Sequence, residues 1–123
     1  MFKVEKIFRF EAGHVLKYHD GRCKDPHGHS YILTVAVKSN KLIDNGPKKN
    51  MVIDFHDISR VVKPLISDSL DHKWLNETLN TDSPTAEYIA KWIYDYLKPK
   101  LPGLLSVTIN ETESARATYS EEN

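Results

Sequence analysis

Residues 30–38 read Ser30-Tyr31-Ile32-Leu33-Thr34-Val35-Ala36-Val37-Lys38, a run rich in β-forming side chains. Every second position from Tyr31 to Val37 is apolar, and this period of two predicts a strand that buries one face. The opposite face is mixed and carries Ile32, Thr34, Ala36 and Lys38. Self-association explains a second face with this much apolar character, although a solvated sheet with a few exposed aliphatic side chains is a common alternative.

Three further segments have the composition of strands: Lys3–Glu11, Leu105–Glu111 and Ala115–Tyr119. A long polar loop is predicted from Tyr18 to Gly28, because this segment contains glycine, proline and several charges. Turn residues at Asn45-Gly46-Pro47 precede Met51-Val52-Ile53, which we interpret as a short strand.

Two segments predict helices. Asp54 stands at an N-cap position before apolar residues at helical spacing, and Pro64 is expected to bend this first helix midway. The second helix is expected to begin with Ser83 as N-cap and Pro84 as first residue. The order β-β-α-α-β-β predicts a single α+β domain over residues 1–123, with a four-stranded antiparallel sheet and two helices on one face. Residues 120–123 are expected to fray.

The charge balance and cysteine content exclude several classes of protein. The chain has 17 basic and 17 acidic side chains, and this zero net charge argues against a dedicated nucleic-acid module. No apolar run approaches the roughly 20 residues that span a bilayer, and the N-terminus lacks a signal-peptide pattern. One cysteine cannot form a disulfide within the chain, so a reducing, cytoplasmic environment is the simplest expectation.

Histidines are concentrated in one short part of the chain. His27-Gly28-His29 places two imidazoles on the same side of an extended strand, so that they can converge on one ion. His14 ends the first predicted strand, where an antiparallel neighbour can bring it beside that pair. Three histidines without a fourth protein ligand are typical of a zinc site with an open coordination position. A His-x-His pair is also common as an incidental surface group or a satisfied polar cluster.

The single cysteine lies near this cluster. Cys23 stands four residues before His27, between Arg22 and Lys24, and neighbouring cations favour the reactive thiolate. It can serve as a fourth zinc ligand, or as a base or nucleophile beside a catalytic zinc. A lone cysteine is more often a small buried side chain, but this loop is polar.

Two acidic positions complete the candidate set. Asp71-His72 is expected at or beyond the end of the first helix, where a carboxylate can orient an imidazole for proton transfer. A histidine that only complements the helix dipole is the simpler alternative. Glu111 shares a face with Val107 and Ile109 by alternation, so its carboxylate needs a protein donor or a ligand with paired N–H groups, unless it lies in water.

Six short motifs follow one another along nearly the whole chain: Phe10-Glu11-Ala12-Gly13-His14, Cys23-Lys24-Asp25-Pro26-His27-Gly28-His29-Ser30-Tyr31, Val52-Ile53-Asp54-Phe55, Leu70-Asp71-His72, Pro84-Thr85-Ala86-Glu87 and Glu111-Thr112. In this order and spacing they resemble the 6-pyruvoyltetrahydropterin synthase family. The three-residue gap between Cys23 and His27 resembles its 6-carboxytetrahydropterin synthase branch, which acts in queuosine biosynthesis.

The resemblance implies a tunnelling fold, in which three β-β-α-α-β-β protomers form a barrel and two trimers stack into a hexamer. It places zinc on His14, His27 and His29. It also places the catalytic thiol on Cys23, a proton relay on Asp71 and His72, and pterin binding on Glu111 and Thr112. Sites in such enzymes lie between subunits.

The substrate implied by the resemblance is 7,8-dihydroneopterin triphosphate, converted to 6-carboxy-5,6,7,8-tetrahydropterin with release of acetaldehyde and triphosphate. Cations chosen by position alone are candidates for the triphosphate: Lys17, Arg22 and Lys24, with His19 as a possible addition. Three alternatives stay open. They are 6-pyruvoyltetrahydropterin synthesis, cleavage of dihydroneopterin to a 6-hydroxymethylpterin, and a zinc- or pterin-binding module without catalysis. A structural zinc protein is a further interpretation, and it predicts that chelation unfolds the chain.

Overall fold

The computed structural model of the chain describes residues 1–121 and contains one sheet of five strands. The strands are β1 (Phe2–His14), β2 (His27–Ser39), β3 (Lys73–Trp74), β4 (Leu104–Thr112) and β5 (Ala115–Tyr119). Their order across the sheet is β3-β1-β2-β4-β5. Neighbouring strands are antiparallel, except that β3 runs parallel to β1.

Three α-helices connect these strands: α1 (Phe55–Leu65), α2 (Leu75–Thr78) and α3 (Ala86–Leu97). A 3-10 turn covers Arg22–Lys24, and a π-helical turn at Ile66–Leu70 follows α1 directly. Asp54 caps α1 as predicted, since its carboxylate accepts a 2.8 Å hydrogen bond from the His56 N–H. Pro64 lies at the end of α1, immediately before its last residue, and not midway along the helix as predicted.

The α+β class, the four antiparallel strands and the two long helices are confirmed, but the structure has one strand, β3, and one short helix, α2, more than predicted. β3 has two residues, and it pairs only with Ala12 and Gly13 of β1. Two residues are too few to show the alternation of apolar and polar side chains by which a strand is predicted from sequence. The π turn directs the chain back to the edge of β1, where the His72 N–H donates to the Glu11 carbonyl oxygen just before β3 begins.

Two local predictions are wrong. Met51-Val52-Ile53 forms no strand; Met51 accepts a hydrogen bond from the Ile43 N–H within a local turn, and Val52 and Ile53 pack against the core. The N-cap of α3 is Thr85, whose side chain accepts a 3.1 Å hydrogen bond from the Tyr88 N–H, so Ser83 and Pro84 precede the helix.

The core lies between one face of the sheet and the helices. Tyr31, Leu33 and Val35 are fully buried, which confirms the predicted apolar face of β2. Helix α3 packs against β4 and β5, and α1 packs against β1, so both long helices cover the same sheet face. The opposite face carries no helix, and Ile7 on this face is 59% exposed.

At the C-terminus, Glu121 forms a 2.6 Å ion pair with Lys98, which ties part of the tail that was expected to fray. The rest of that prediction, for Glu122 and Asn123, lies outside the described residues. Within residues 1–121, no helix combines the length and the hydropathy needed to cross a membrane.

Candidate metal centre and active site

The pairing of β1 with β2 brings the three predicted histidines together. His14 lies directly opposite His27, and Ala12 lies opposite His29, so the three imidazoles occupy the core face of two adjacent strands. One ligand atom from each of the three lies within 4.8 Å of the others. The predicted convergence of His14, His27 and His29 is therefore confirmed, and the cluster can hold a metal ion.

Backbone carbonyls determine which ring nitrogen is offered by two of the three imidazoles, those of His14 and His27. His14 Nδ1 lies 2.8 Å from the carbonyl oxygen of Pro84, and His27 Nδ1 lies 2.7 Å from that of Asp25. A carbonyl oxygen can only accept, so both Nδ1 atoms carry the proton and both Nε2 lone pairs are free for a cation. This is the arrangement in which metal-binding histidines are usually held.

Two buried nitrogen atoms support the same conclusion. His14 Nε2 and His29 Nε2 are buried and have no hydrogen-bond partner among the described residues. Burial lowers the pKa of His14, more than its hydrogen bond to Pro84 raises it, so the neutral imidazole is favoured. Unpaired buried polar atoms cost free energy, and a bound cation removes that cost. A donor set of three imidazole nitrogens fits zinc with an open position.

Glu111 and Tyr31 border the histidine cluster. Glu111 lies at a register shift between β4 and β5, and its Oε2 is 4.0 Å from His29 Nε2. By alternation its side chain lies on the core face with Val107 and Ile109, which is the face that carries the histidines. The Tyr31 hydroxyl lies 3.3 Å from His14 Nδ1, and burial followed by the charge of Glu111 raises the Tyr31 pKa above its usual range. Our sequence interpretation treated Tyr31 as a core residue only, although its position two residues after His29 places it on the same face.

Cys23 lies on the 3-10 turn and lines a cavity of about 440 Å³ with Arg22, Asp25, His27 and His29. The sequence therefore correctly associated this thiol with the histidine pair. Its Sγ is not among the ligand atoms that lie within 4.8 Å of one another in residues 1–121. This geometry favours a role beside the metal over one as a fourth ligand.

Asp71 and His72 follow the π turn, and their side chains lie in hydrogen-bond contact. His72 adopts a left-handed backbone conformation with φ of 58°, and in it His72 Nδ1 lies 3.0 Å from Asp71 Oδ2. The Glu11 N–H donates to Asp71 Oδ1 at 2.9 Å, and this bond, followed by that to His72, holds the Asp71 pKa below its usual range. Asp71 thus remains a carboxylate that can orient the imidazole.

His72 lines a second cavity, of about 740 Å³, and Cys23 does not line it. Glu11, Ser30 and Trp74 also line this second cavity, and His27 and His29 border both cavities. Cys23 and His72, the two predicted proton-transfer groups, therefore line different cavities, and both cavities border His27 and His29.

The predicted phosphate-binding cations are dispersed. Arg22 lines the Cys23 cavity, whereas Lys17 lines a different one with Asn76 and Asp82 and lies over the Tyr18 ring. Lys24 is exposed on the 3-10 turn, and exposed His19 accepts a hydrogen bond from the Gly21 N–H at 2.8 Å. Thr112 is exposed at the end of β4. Of this group, Arg22 is brought beside Cys23 and the histidine pair.

A helix-backed antiparallel sheet with a three-histidine cluster across two paired strands defines an α+β protein equipped for a metal ion. The family model for 6-pyruvoyl tetrahydropterin synthase matches residues 3–122, and the chain belongs to this family. A 6-carboxy-5,6,7,8-tetrahydropterin synthase of Synechocystis is 42% identical over 120 residues, which cover 97% of this chain and 93% of the relative.

Two other relatives carry different names. A dihydroneopterin monophosphate aldolase of Pyrococcus furiosus is 35% identical over 103 residues, covering 82% of this chain and 81% of that protein. Among solved structures, the 6-pyruvoyl tetrahydropterin synthase of Caenorhabditis elegans superposes with a TM-score of 0.81 at 27% identity, over 98% of this chain and 96% of that one.

Proposed function

We propose that this chain is a zinc-dependent lyase that converts 7,8-dihydroneopterin triphosphate to 6-carboxy-5,6,7,8-tetrahydropterin, with release of acetaldehyde and triphosphate. The observation that carries the proposal is the convergence of His14, His27 and His29, with two buried Nε2 atoms that have no hydrogen-bond partner among the described residues. The similarity to the Synechocystis synthase over almost the full length of both chains supports this substrate and product.

The three histidines would hold zinc through their Nε2 atoms. When bound there, zinc supplies Lewis acidity that lowers the pKa of substrate hydroxyl groups and stabilises developing negative charge. The Pro84 and Asp25 carbonyls keep the rings oriented, so the site is prepared before the ion binds.

Glu111 is the proposed anchor for the pterin ring. Its carboxylate can accept two N–H bonds from the pyrimidine edge of a pterin, a bidentate contact that specifies orientation as well as affinity. It lines a cavity of about 270 Å³ together with Thr85 and Arg116. Its position 4.0 Å from His29 Nε2 would bring the side chain of a bound pterin next to the metal ligands. Thr112 is proposed as a neighbouring contact.

Cys23 and His72 are the proposed proton-transfer groups. The thiolate of Cys23 would remove or return protons on the substrate side chain, and His72, oriented by Asp71, would serve as its partner acid or base. Because Cys23 and His72 line different cavities, we propose that a complete site takes its thiol from one chain and its imidazole from another.

Assembly follows from the same proposal. The sheet face without helices exposes Ile7, and β1 is paired with β3 at only two positions, so much of its edge is available to another chain. We propose a homohexamer built as two stacked trimers. Arg22 is the proposed triphosphate contact with the strongest geometric support, and Lys17 and Lys24 are weaker candidates.

Product analysis by mass spectrometry after incubation with 7,8-dihydroneopterin triphosphate tests the reaction. We expect 6-carboxy-5,6,7,8-tetrahydropterin and an equal amount of acetaldehyde. A 6-pyruvoyltetrahydropterin product without acetaldehyde would move the protein to another branch of the family. A 6-hydroxymethylpterin product would favour the activity named for the Pyrococcus relative.

Cys23→Ala separates catalysis from binding. We expect this variant to bind zinc normally and to lose activity by about 10²- to 10⁴-fold, the usual effect of removing a positioned acid or base. Turnover at the wild-type rate would instead support a binding module in which Cys23 has no chemical role. Chelation should abolish activity while circular dichroism stays nearly unchanged, because the core does not depend on the metal.

A further inference from the structure

Trp74 is a large aromatic residue at the edge of the sheet, in the same cavity as His72. It ends β3, its side chain is 38% exposed, and it lines the cavity of about 740 Å³ that contains His72. A cavity of this size is in the range of ligand sites, which combine apolar walls with a few polar groups. Here the polar groups are His72, Lys73 and the pair Glu11 and Ser30, joined by a 2.6 Å hydrogen bond.

The indole of Trp74 is seated on Gly13. The two residues are register partners in the parallel β1–β3 pair. A Cβ atom added at Gly13 would lie 3.1 and 3.2 Å from two carbon atoms of the indole, closer than ordinary van der Waals contact. The absence of a side chain at position 13 therefore permits the ring to approach β1 closely. Trp74 is thus held by the strand that also carries His14.

We infer that Trp74 is a substrate-contacting residue, whose indole packs against the carbon side chain of the pterin substrate and holds it beside His72. The inference rests on the proposed function, since it assigns the occupant of the His72 cavity. Glu111, which lines a different cavity, would hold the pterin ring. The three-carbon side chain of the substrate is then the part that reaches His72. An apolar wall next to a proton-transfer group favours the carbon chain while Glu11 and Ser30 receive its hydroxyl groups.

Steady-state kinetics of Trp74→Ala, with Trp74→Phe as the conservative variant, test this contact. We expect Trp74→Ala to lower kcat/KM about 10- to 100-fold, mainly through KM, and Trp74→Phe to recover most of the loss. Trp92→Phe is the matched control, because Trp92 lies on α3 against Tyr96 and lines a different cavity. Zinc content and assembly mass are measured for each variant.

Gly13→Ala provides a variant that keeps the indole but displaces it. We expect it to raise KM in the same direction as Trp74→Ala, with unchanged zinc content. Wild-type kcat/KM in both Trp74→Ala and Gly13→Ala would overturn the inference. A change in assembly mass with unchanged kcat/KM in the assembled fraction would also overturn it, since Trp74 would then be a contact between subunits.

Fluorescence gives a readout that does not depend on turnover. The chain has two tryptophans, so Trp92→Phe leaves Trp74 as the only indole emitter. Adding 7,8-dihydroneopterin, which keeps the three-carbon side chain, should produce a saturable blue shift of this emission, whereas Trp74→Phe, which retains Trp92, should show none. If the wild type releases no acetaldehyde, the proposed reaction is wrong, and the emission shift still decides whether Trp74 contacts a pterin. The absence of a shift overturns the inference.

Discussion

The backbone carbonyls of Asp25 and Pro84 determine which ring nitrogen carries the proton in His27 and in His14. Asp25 is two residues from His27, but Pro84 is 70 residues from His14. The sequence identified the three imidazoles correctly because strand alternation and antiparallel pairing place them on one face. It could not identify Pro84 as the partner of His14, since that contact exists only after α3 has packed against the sheet.

The first prediction concerns the metal ligands. His29→Ala removes one of three Nε2 donors, so bound zinc should fall from about one equivalent per chain to a small fraction of that. Metal analysis of the purified protein by atomic absorption measures the change. His56→Ala is the control, because His56 is exposed on α1 and should leave zinc content intact. Equal zinc in His29→Ala and wild type would remove His29 from the ligand set.

The second prediction is the pH dependence conferred by Asp71. Its folded-state pKa is lowered, first by the Glu11 N–H and then by His72, so its contribution to stability is complete above the ordinary carboxyl pKa. That contribution is lost as the pH falls through the lowered folded-state value. Asp71→Asn should therefore be less stable than wild type at neutral pH, and the difference should shrink on acidification.

Urea unfolding of both proteins from neutral pH to about pH 3 measures this difference, since the unperturbed carboxyl pKa lies near 4. Asp20→Asn, at an exposed loop position, should show a much smaller difference across the same range. A stability difference for Asp71→Asn that is independent of pH would show that the carboxylate charge is not the cause.

At the scale of elements, turn geometry places the strands that carry the site. Gly103 precedes β4 with φ of 80°, and its carbonyl accepts a 2.9 Å hydrogen bond from the Lys38 N–H near the end of β2. A Cβ atom at position 103 would lie 2.6 Å from the Lys38 carbonyl oxygen. Glycine is required here for two reasons, the left-handed conformation and the close approach of two backbones.

The third prediction separates these two reasons. Gly46 has φ of 87°, but a Cβ atom there would meet no atom within 4 Å. Gly46→Ala should cost about 1–2 kcal/mol through backbone strain alone. Gly103→Ala should cost at least ~1 kcal/mol more, because β2 or β4 must also shift. Chemical denaturation measures both free energies of unfolding, and equal losses would mean that the close approach is relieved without cost.

The start of α3 illustrates a limit of local sequence signals. Ser83-Pro84 has the composition of a helix start, yet the helix begins after Thr85. The carbonyl of Pro84 is engaged by His14, which requires Pro84 to remain in the connecting segment. Tertiary packing therefore moves the start of α3 two residues along the chain, and the segment before the helix supplies Pro84, the residue that orients His14.

At the scale of the whole molecule, the exposed sheet face bears on assembly. Ile7 lies opposite Thr34 on the face without helices and is 59% exposed. A charge at this position would be desolvated if another chain covers the face, which costs several kcal/mol. The fourth prediction is that Ile7→Asp reduces the assembly to smaller species, as measured by sedimentation or light scattering.

Asn45→Asp introduces the same charge in an exposed turn and serves as the control, which should keep the wild-type mass. If Ile7→Asp also keeps the wild-type mass and activity, the sheet face is solvated, as in the alternative interpretation of the residues around Thr34. The sequence is compatible both with self-association and with a solvated sheet face, because the alternation of side chains carries no information about neighbouring chains.

The periodic pattern of side chains was sufficient to determine the four long strands, the two long helices and the common face of His27 and His29, because these depend on local geometry. The antiparallel pairing of β1 with β2 then adds His14 to that face. Tertiary structure alone decided the partners of those residues. The short strand β3, the Pro84 carbonyl on His14, the Glu11 N–H on Asp71 and the indole of Trp74 on Gly13 all join segments distant in sequence. Such contacts follow from how helices and strands pack, and packing depends on the shape of the whole core, which no local pattern describes.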